Sequence, residues 1–137
     1  MTRKATCCCG ACSIAVEGEP RLNALCHCAN CKKRTGSAFG WSAYFADDQI
    51  LGRTGDFRVY EIAGANPQHR WFCAACGSTL FWKVGWQPLQ TGIAGGCFAD
   101  PPLDPPSVTT AAATGSACPR NGAHRSKPAI LPLLASA

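Results

Sequence analysis

What this sequence lacks narrows it before any motif is read. It holds no apolar run long enough to cross a bilayer: the longest near the C-terminus, Ala129 to Ala135, falls far short of the roughly 20 residues a spanning helix needs. Its basic, polar start, Met1-Thr2-Arg3-Lys4-Ala5-Thr6, runs into cysteines without the apolar core of a secretory signal. Both absences predict a soluble, cytoplasmic protein with no membrane partner. Acidic residues are scarce, eight against thirteen Lys and Arg, and none follows Asp104. A formal charge of +5 suggests nucleic acid, but residues 1–108 carry only +2 and the last 29 carry +3. That is no concentrated basic footprint, so no nucleic-acid partner is expected. Aromatic residues are missing outside Phe39 to Phe98, and beyond about Val108 the composition turns to Ala, Pro, Ser and Thr. These shifts predict one domain over residues 1–108 and an atypical tail over 109–137, disordered or aberrant.

Long helical periodicity is also lacking. Only Ala29 to Arg34 and Asp47 to Ile50 suggest helix, both short. Strands are predicted at Ala11 to Glu17, Phe39 to Ala46, Asp56 to Ile62, Arg70 to Phe72, Thr79 to Val84 and Gln90 to Ala94. In Phe39 to Ala46, Trp41, Ala43 and Phe45 share one face and Ser42 and Tyr44 the other. The expectation is an all-β domain of short strands with an irregular C-terminal tail.

What is abundant is cysteine, eleven residues in 137. In a reducing compartment clustered cysteines indicate metal or redox chemistry, and three consecutive ones (Cys7, Cys8, Cys9) are badly placed for separate disulfides. Three motifs hold most of them: Cys7-Cys8-Cys9-Gly10, Cys26-His27-Cys28-Ala29-Asn30-Cys31 and Cys73-Ala74-Ala75-Cys76-Gly77. A C-x-x-C turn presents two thiolates to one ion, and the following glycine permits the tight turn. A C-x-C pair on a strand points both sulfurs to one face. Cys7, Cys9, Cys73 and Cys76 thus make a closed four-sulfur site, the pattern of a structural zinc. Cys26, Cys28 and Cys31 make three sulfurs without an obvious fourth, the pattern of a catalytic zinc with one open position. Two zinc ions are expected, with an iron–sulfur cluster as the less favoured alternative. His27 should point away from its neighbours' metal and pack or face solvent. Seven thiolates and two Zn²⁺ would shift residues 1–108 to about −1, further from a nucleic-acid binder.

The succession C-x-C-G-A, C-H-C-x-x-C-K-K-x-x-G and F-C-x-x-C-G-S-T-L-F-W resembles the GFA family, which groups glutathione-dependent formaldehyde-activating enzymes with the centromere protein V domain. The likeness runs over residues 7–104 and includes Gly36, the Ser42 to Phe45 strand and Gly96 to Asp100. It implies a β-tent fold: two small antiparallel sheets joined at a structural zinc on Cys7, Cys9, Cys73 and Cys76. It also implies a catalytic zinc on Cys26, Cys28 and Cys31. The reaction implied is that of a carbon–sulfur lyase acting on thiol–aldehyde adducts, similar to S-(hydroxymethyl)glutathione synthase. Its partners would be a small-molecule thiol or aldehyde, with glutathione and formaldehyde as the named pair. The alternative is a non-catalytic zinc-binding module for a protein partner. Lys32, Lys33 and Arg34 are placed to offset the anionic three-thiolate site, or else form a solvated turn. Phe39 and Trp41 would either wall a pocket or belong to the core. The aromatic closing strand usual in similar sequences has no counterpart after Val108, which implies an aberrant terminus, such as a frameshift, open to resequencing.

Overall fold

In the computed structural model, residues 1–110 and the short strand 126–127 are described. Eleven strands and one α-helix follow in chain order: β1 (Thr2–Thr6), β2 (Ser13–Glu17), β3 (Leu22–Cys26), α1 (Ala29–Thr35), β4 (Gly40–Ala46), β5 (Ile50–Thr54), β6 (Phe57–Ile62), β7 (Gln68–Cys73), β8 (Thr79–Val84), β9 (Gln90–Ala94), β10 (Val108–Thr110) and β11 (Ser126–Lys127). The fold is the all-β, two-sheet arrangement expected, but the sheets are unequal. One has three strands in the order β1-β2-β5, and the other has eight, β10-β3-β4-β9-β8-β7-β6-β11. Every pairing is antiparallel except β10 with β3, where Val108 lies beside Ala24. Strand β10 runs across the 108/109 boundary drawn from composition. The expectations of disorder or aberration in the tail otherwise fall on residues 111–125 and 128–137, outside those described.

Besides the short β10 and β11, three strands escape a reading by hydrophobic pattern, each for its own reason. In β1 the inward residues are Arg3 and Ala5, so no apolar alternation marks it. Buried Arg3 donates to Gly18 O at 3.0 Å and pairs with Glu19 at 2.7 Å, which offsets the cost of burying its charge. Strand β5 is an edge strand, exposed along most of its length. Strand β3 ends in the cysteine cluster, which hides its alternation. The second short helix expected is a single 3-10 turn, Asp47–Gln49, held by Gln49 Oε1 accepting from Ala46 N–H at 2.9 Å.

The main core lies between the sheets. Ile14 and Val16 of β2 meet Ala43 and Phe45 of β4, Leu80 and Phe81 of β8, Ile93 of β9 and Phe98 beyond. Burial of each large side chain there contributes about 1.5–3 kcal/mol. Strand β4 is covered on both faces, since Tyr44, turned the other way, packs with Trp82 and Val84. Cys7, Cys12 and Cys73 belong to the main core's rim, so the core ends in sulfur.

Candidate metal centres

Two turns bring the first four cysteines together. Cys7 and Cys9 lie in the turn after β1, while Cys73 ends β7 and Cys76 lies in the turn leading to β8. The strand geometry expected for Cys7-x-Cys9 is therefore corrected: the pair sits in a turn, closed by Gly10 N–H donating to Cys7 O at 3.0 Å with Gly10 at φ +78°. The second turn repeats this, with Gly77 N–H on Cys73 O at 2.9 Å and Gly77 at φ +77°. No atom stands within 4 Å of where a Cβ would go on either glycine, so backbone conformation rather than space requires them.

All four sulfurs lie within 4.8 Å of one another. Cys7 to Cys9 is 3.5 Å and Cys9 to Cys73 is 3.7 Å. A tetrahedron with Zn–S bonds of about 2.3 Å has S···S edges of about 3.8 Å, so the donor set fits zinc. Backbone N–H groups bond the sulfurs from outside: Cys12 N–H reaches Cys7 Sγ at 3.2 Å and Ala75 N–H reaches Cys73 Sγ at 3.4 Å. Such donors favour thiolates. The Ser78 side chain, 3.2 Å away, and backbone N–H groups pull Cys76 down to about 5. Cys9 behaves oppositely: the Ala11 backbone lowers its pKa, but hydrogen bonding with Cys7, burial and the other thiols carry it up to about 12. Metal binding requires thiolates, so an ion taken up here would release the protons these thiols hold. Cys8 is exposed and stands outside the cluster.

The second group is local in sequence. Cys26 closes β3, Cys28 is the N-cap of α1, and Cys31 lies one turn into that helix. The Cys28 side chain accepts from Cys31 N–H at 3.3 Å, so one sulfur both caps the helix and faces the cluster. All three are buried. Among the described residues no fourth His, Cys, Asp or Glu joins them. His27 lies outside the group, its ring centroid 5.9 Å from that of Phe39. None of the ten cysteines among the described residues is in a disulfide.

The three basic residues after Cys31 separate. Lys32 and Lys33 are exposed, whereas Arg34 turns inward and lays its guanidinium 4.2 Å from the centre of the Trp82 ring. Gly40 makes this approach workable, because a Cβ there would stand 2.6 Å from Arg34 Nη2. Arg34 borders two spaces. One is a small cavity of about 20 Å³ beside Cys31, also lined by Asn30, Gln68 and Arg70. The other is an open cleft of about 480 Å³ walled by Phe39, Trp41, Ser78 and Cys97. Both earlier readings of Trp41 hold at once: it packs against the core and faces the cleft. Gln68 and Arg70 escaped the sequence reading, for their only signal is i, i+2 spacing on a strand whose neighbours must be known first.

The family model described as "Glutathione-dependent formaldehyde-activating enzyme" matches residues 2–113. No curated protein matches the chain. Among solved structures, a protein from Rhodobacter sphaeroides superposes with a TM-score of 0.58 at 20% identity, covering 78% of this chain and 99% of that one. At that identity the likeness extends to the fold.

Proposed function

Because this chain belongs to the GFA family of glutathione-dependent formaldehyde-activating enzymes, we propose that it is a zinc-dependent carbon–sulfur lyase-type enzyme acting on thiol–aldehyde adducts. The observation that carries this reading is the buried group of Cys26, Cys28 and Cys31, three sulfurs joined by no fourth His, Cys, Asp or Glu among the described residues. Cys7, Cys9, Cys73 and Cys76 are proposed as a closed structural site, and the group of three as the reactive one. The proposed pair of substrates is glutathione, or a similar thiol, and formaldehyde, met in the cytoplasm.

In the forward direction a thiol sulfur adds to the aldehyde carbon and the carbonyl π pair moves to oxygen. That oxygen ends with the proton the thiol gave up. Cys26, Cys28 and Cys31 would hold a zinc ion whose Lewis acidity would favour the thiolate or polarise the carbonyl. The chain's own contribution is placement. Phe39 and Trp41 wall the cleft through which a thiol would approach, and Arg34 stands between that cleft and the cysteine group with its positive charge.

Two measurements test the reading. Metal analysis should find two zincs per chain, falling to one in Cys28→Ser with the β-sheet signal retained. Formaldehyde–glutathione exchange followed by NMR should be accelerated by the wild type and not by that variant. Loss of both metals together would refute the division into two sites. Absence of rate enhancement in wild type carrying both zincs would leave the non-catalytic module ahead.

A further inference from the structure

The small cavity beside Cys31 is lined by two arginines. Arg34 and Arg70 share it with Asn30 and Gln68. Arg70 Nη2 donates to Gln68 Oε1 at 3.2 Å, and Asn30 Nδ2 reaches the same oxygen at 3.3 Å. One neutral oxygen therefore serves two donors. Arg34 Nη2 is buried and makes no hydrogen bond. Neither arginine pairs with a carboxylate among the described residues, where the side-chain ion pairs are Arg3–Glu19, His69–Glu61 and Lys83–Asp47. Burial and the charge of Arg34 both act against the protonated form of Arg70, while Cys31, Tyr60 and Cys28 favour it.

Such an arrangement is costly unless an anion completes it, since buried charges and buried donors want partners. The cysteine group accounts for part of the balance. Three thiolates around one divalent ion carry −1, whereas the two arginines carry +2, so one positive charge is left over. The cavity holds only a small group, and guanidinium forks match the plane of a carboxylate.

We propose that this cavity is a carboxylate subsite, in which Arg34 and Arg70 hold the acidic group of a thiol substrate while its sulfur faces Cys26, Cys28 and Cys31. The inference rests on the thiol-handling reading above and deepens it. Trp82 packs its ring on the Arg34 fork, and Gly40 leaves room for it. The two arginines act as substrate-binding residues, and Gln68 positions Arg70.

The test is calorimetric binding of β-mercaptopropionate and its amide to the full-length, zinc-loaded protein. The two ligands share the thiol and differ in charge. The acid should bind about tenfold tighter or better, the amount expected of charge-assisted hydrogen bonds. Arg70→Gln and Arg34→Gln should each shrink that preference to about threefold or less, and Arg70→Lys should retain part of it. Equal affinity for acid and amide in the wild type, or no binding of either, overturns the subsite. So does an acid preference that survives in both Gln variants. Charge preference without any formaldehyde–glutathione exchange would sink the proposed reaction and leave the subsite standing. Exchange without charge preference would do the reverse.

Discussion

Trp82 is buried with its indole N–H donating to Tyr44 Oη at 3.1 Å, and its ring carries the Arg34 guanidinium. Its seat depends on Gly92 of the neighbouring strand, where a Cβ would fall 2.1 Å from Trp82 Nε1. Gly92→Ala must therefore displace the indole. Overpacking of this kind costs about 1–3 kcal/mol. Urea denaturation should show that loss, together with weaker binding at the arginine cavity; an unchanged midpoint would refute this account of Gly92. At this scale the sequence was most legible where spacing alone sets the chemistry. Cys26, Cys28 and Cys31 sit within six residues, so their convergence needs only one strand end and one helical turn. Arg34 was half legible: its charge beside the cysteines is plain, but its inward turn depends on Gly40 and Trp82, which lie on other strands.

Among the elements, the 3-10 turn Asp47–Gln49 shows how polar contacts settle what pattern leaves open. Asp47 receives Lys83 Nζ at 2.6 Å and the buried Thr91 hydroxyl at 2.7 Å, so the turn is pinned to β8 and β9 together. Partial burial pushes the Asp47 pKa up, but the Lys83 and Thr91 hydrogen bonds outweigh it and leave the carboxyl below its ordinary value. A depressed folded-state pKa stabilises at pH above the unfolded value, near pH 4, and the contribution fades as pH falls through the folded value. Asp47→Asn should thus lower the urea midpoint at neutral pH, with the difference from wild type closing in acid. Acid also releases metal from thiolates, which is why the difference between the two proteins is the quantity to follow. A gap that persists unchanged well below pH 4 would contradict the assignment. The strands rich in aromatic and apolar residues, such as β4 and β8, were legible from sequence. Strand β1 was not, because its buried positions are an arginine and an alanine.

For the whole molecule, the four-cysteine centre joins the turn after β1 to the turn between β7 and β8, and so ties the small sheet to the large one. Cys9 and Cys73 are 64 residues apart in the chain. A covalent link closing a loop of that length would restrict the unfolded chain by about 4 kcal/mol, and a bound ion adds its binding energy to a similar constraint. Stripping metal with a chelator should lower the melting temperature by many degrees, and readdition of zinc should restore it. Cys28→Ser should still show this response, and Cys73→Ser should lose it. Indifference of the wild type to chelation would remove the structural role from this centre. The all-β class could be read in advance from the short strands, whereas the two sheets were implied only by the family resemblance. The eight-strand width could not be read from sequence, because it depends on pairings such as β4 with β9 that join distant segments.

The same spacing sets an order of events while the chain is being made. The local trio is complete once residue 31 has left the ribosome, whereas the tying centre must wait for Cys76. For that interval Cys7 and Cys9 await Cys73 and Cys76, while Cys26, Cys28 and Cys31 are already together. The group proposed as reactive is therefore able to take an ion before the group proposed as structural is complete.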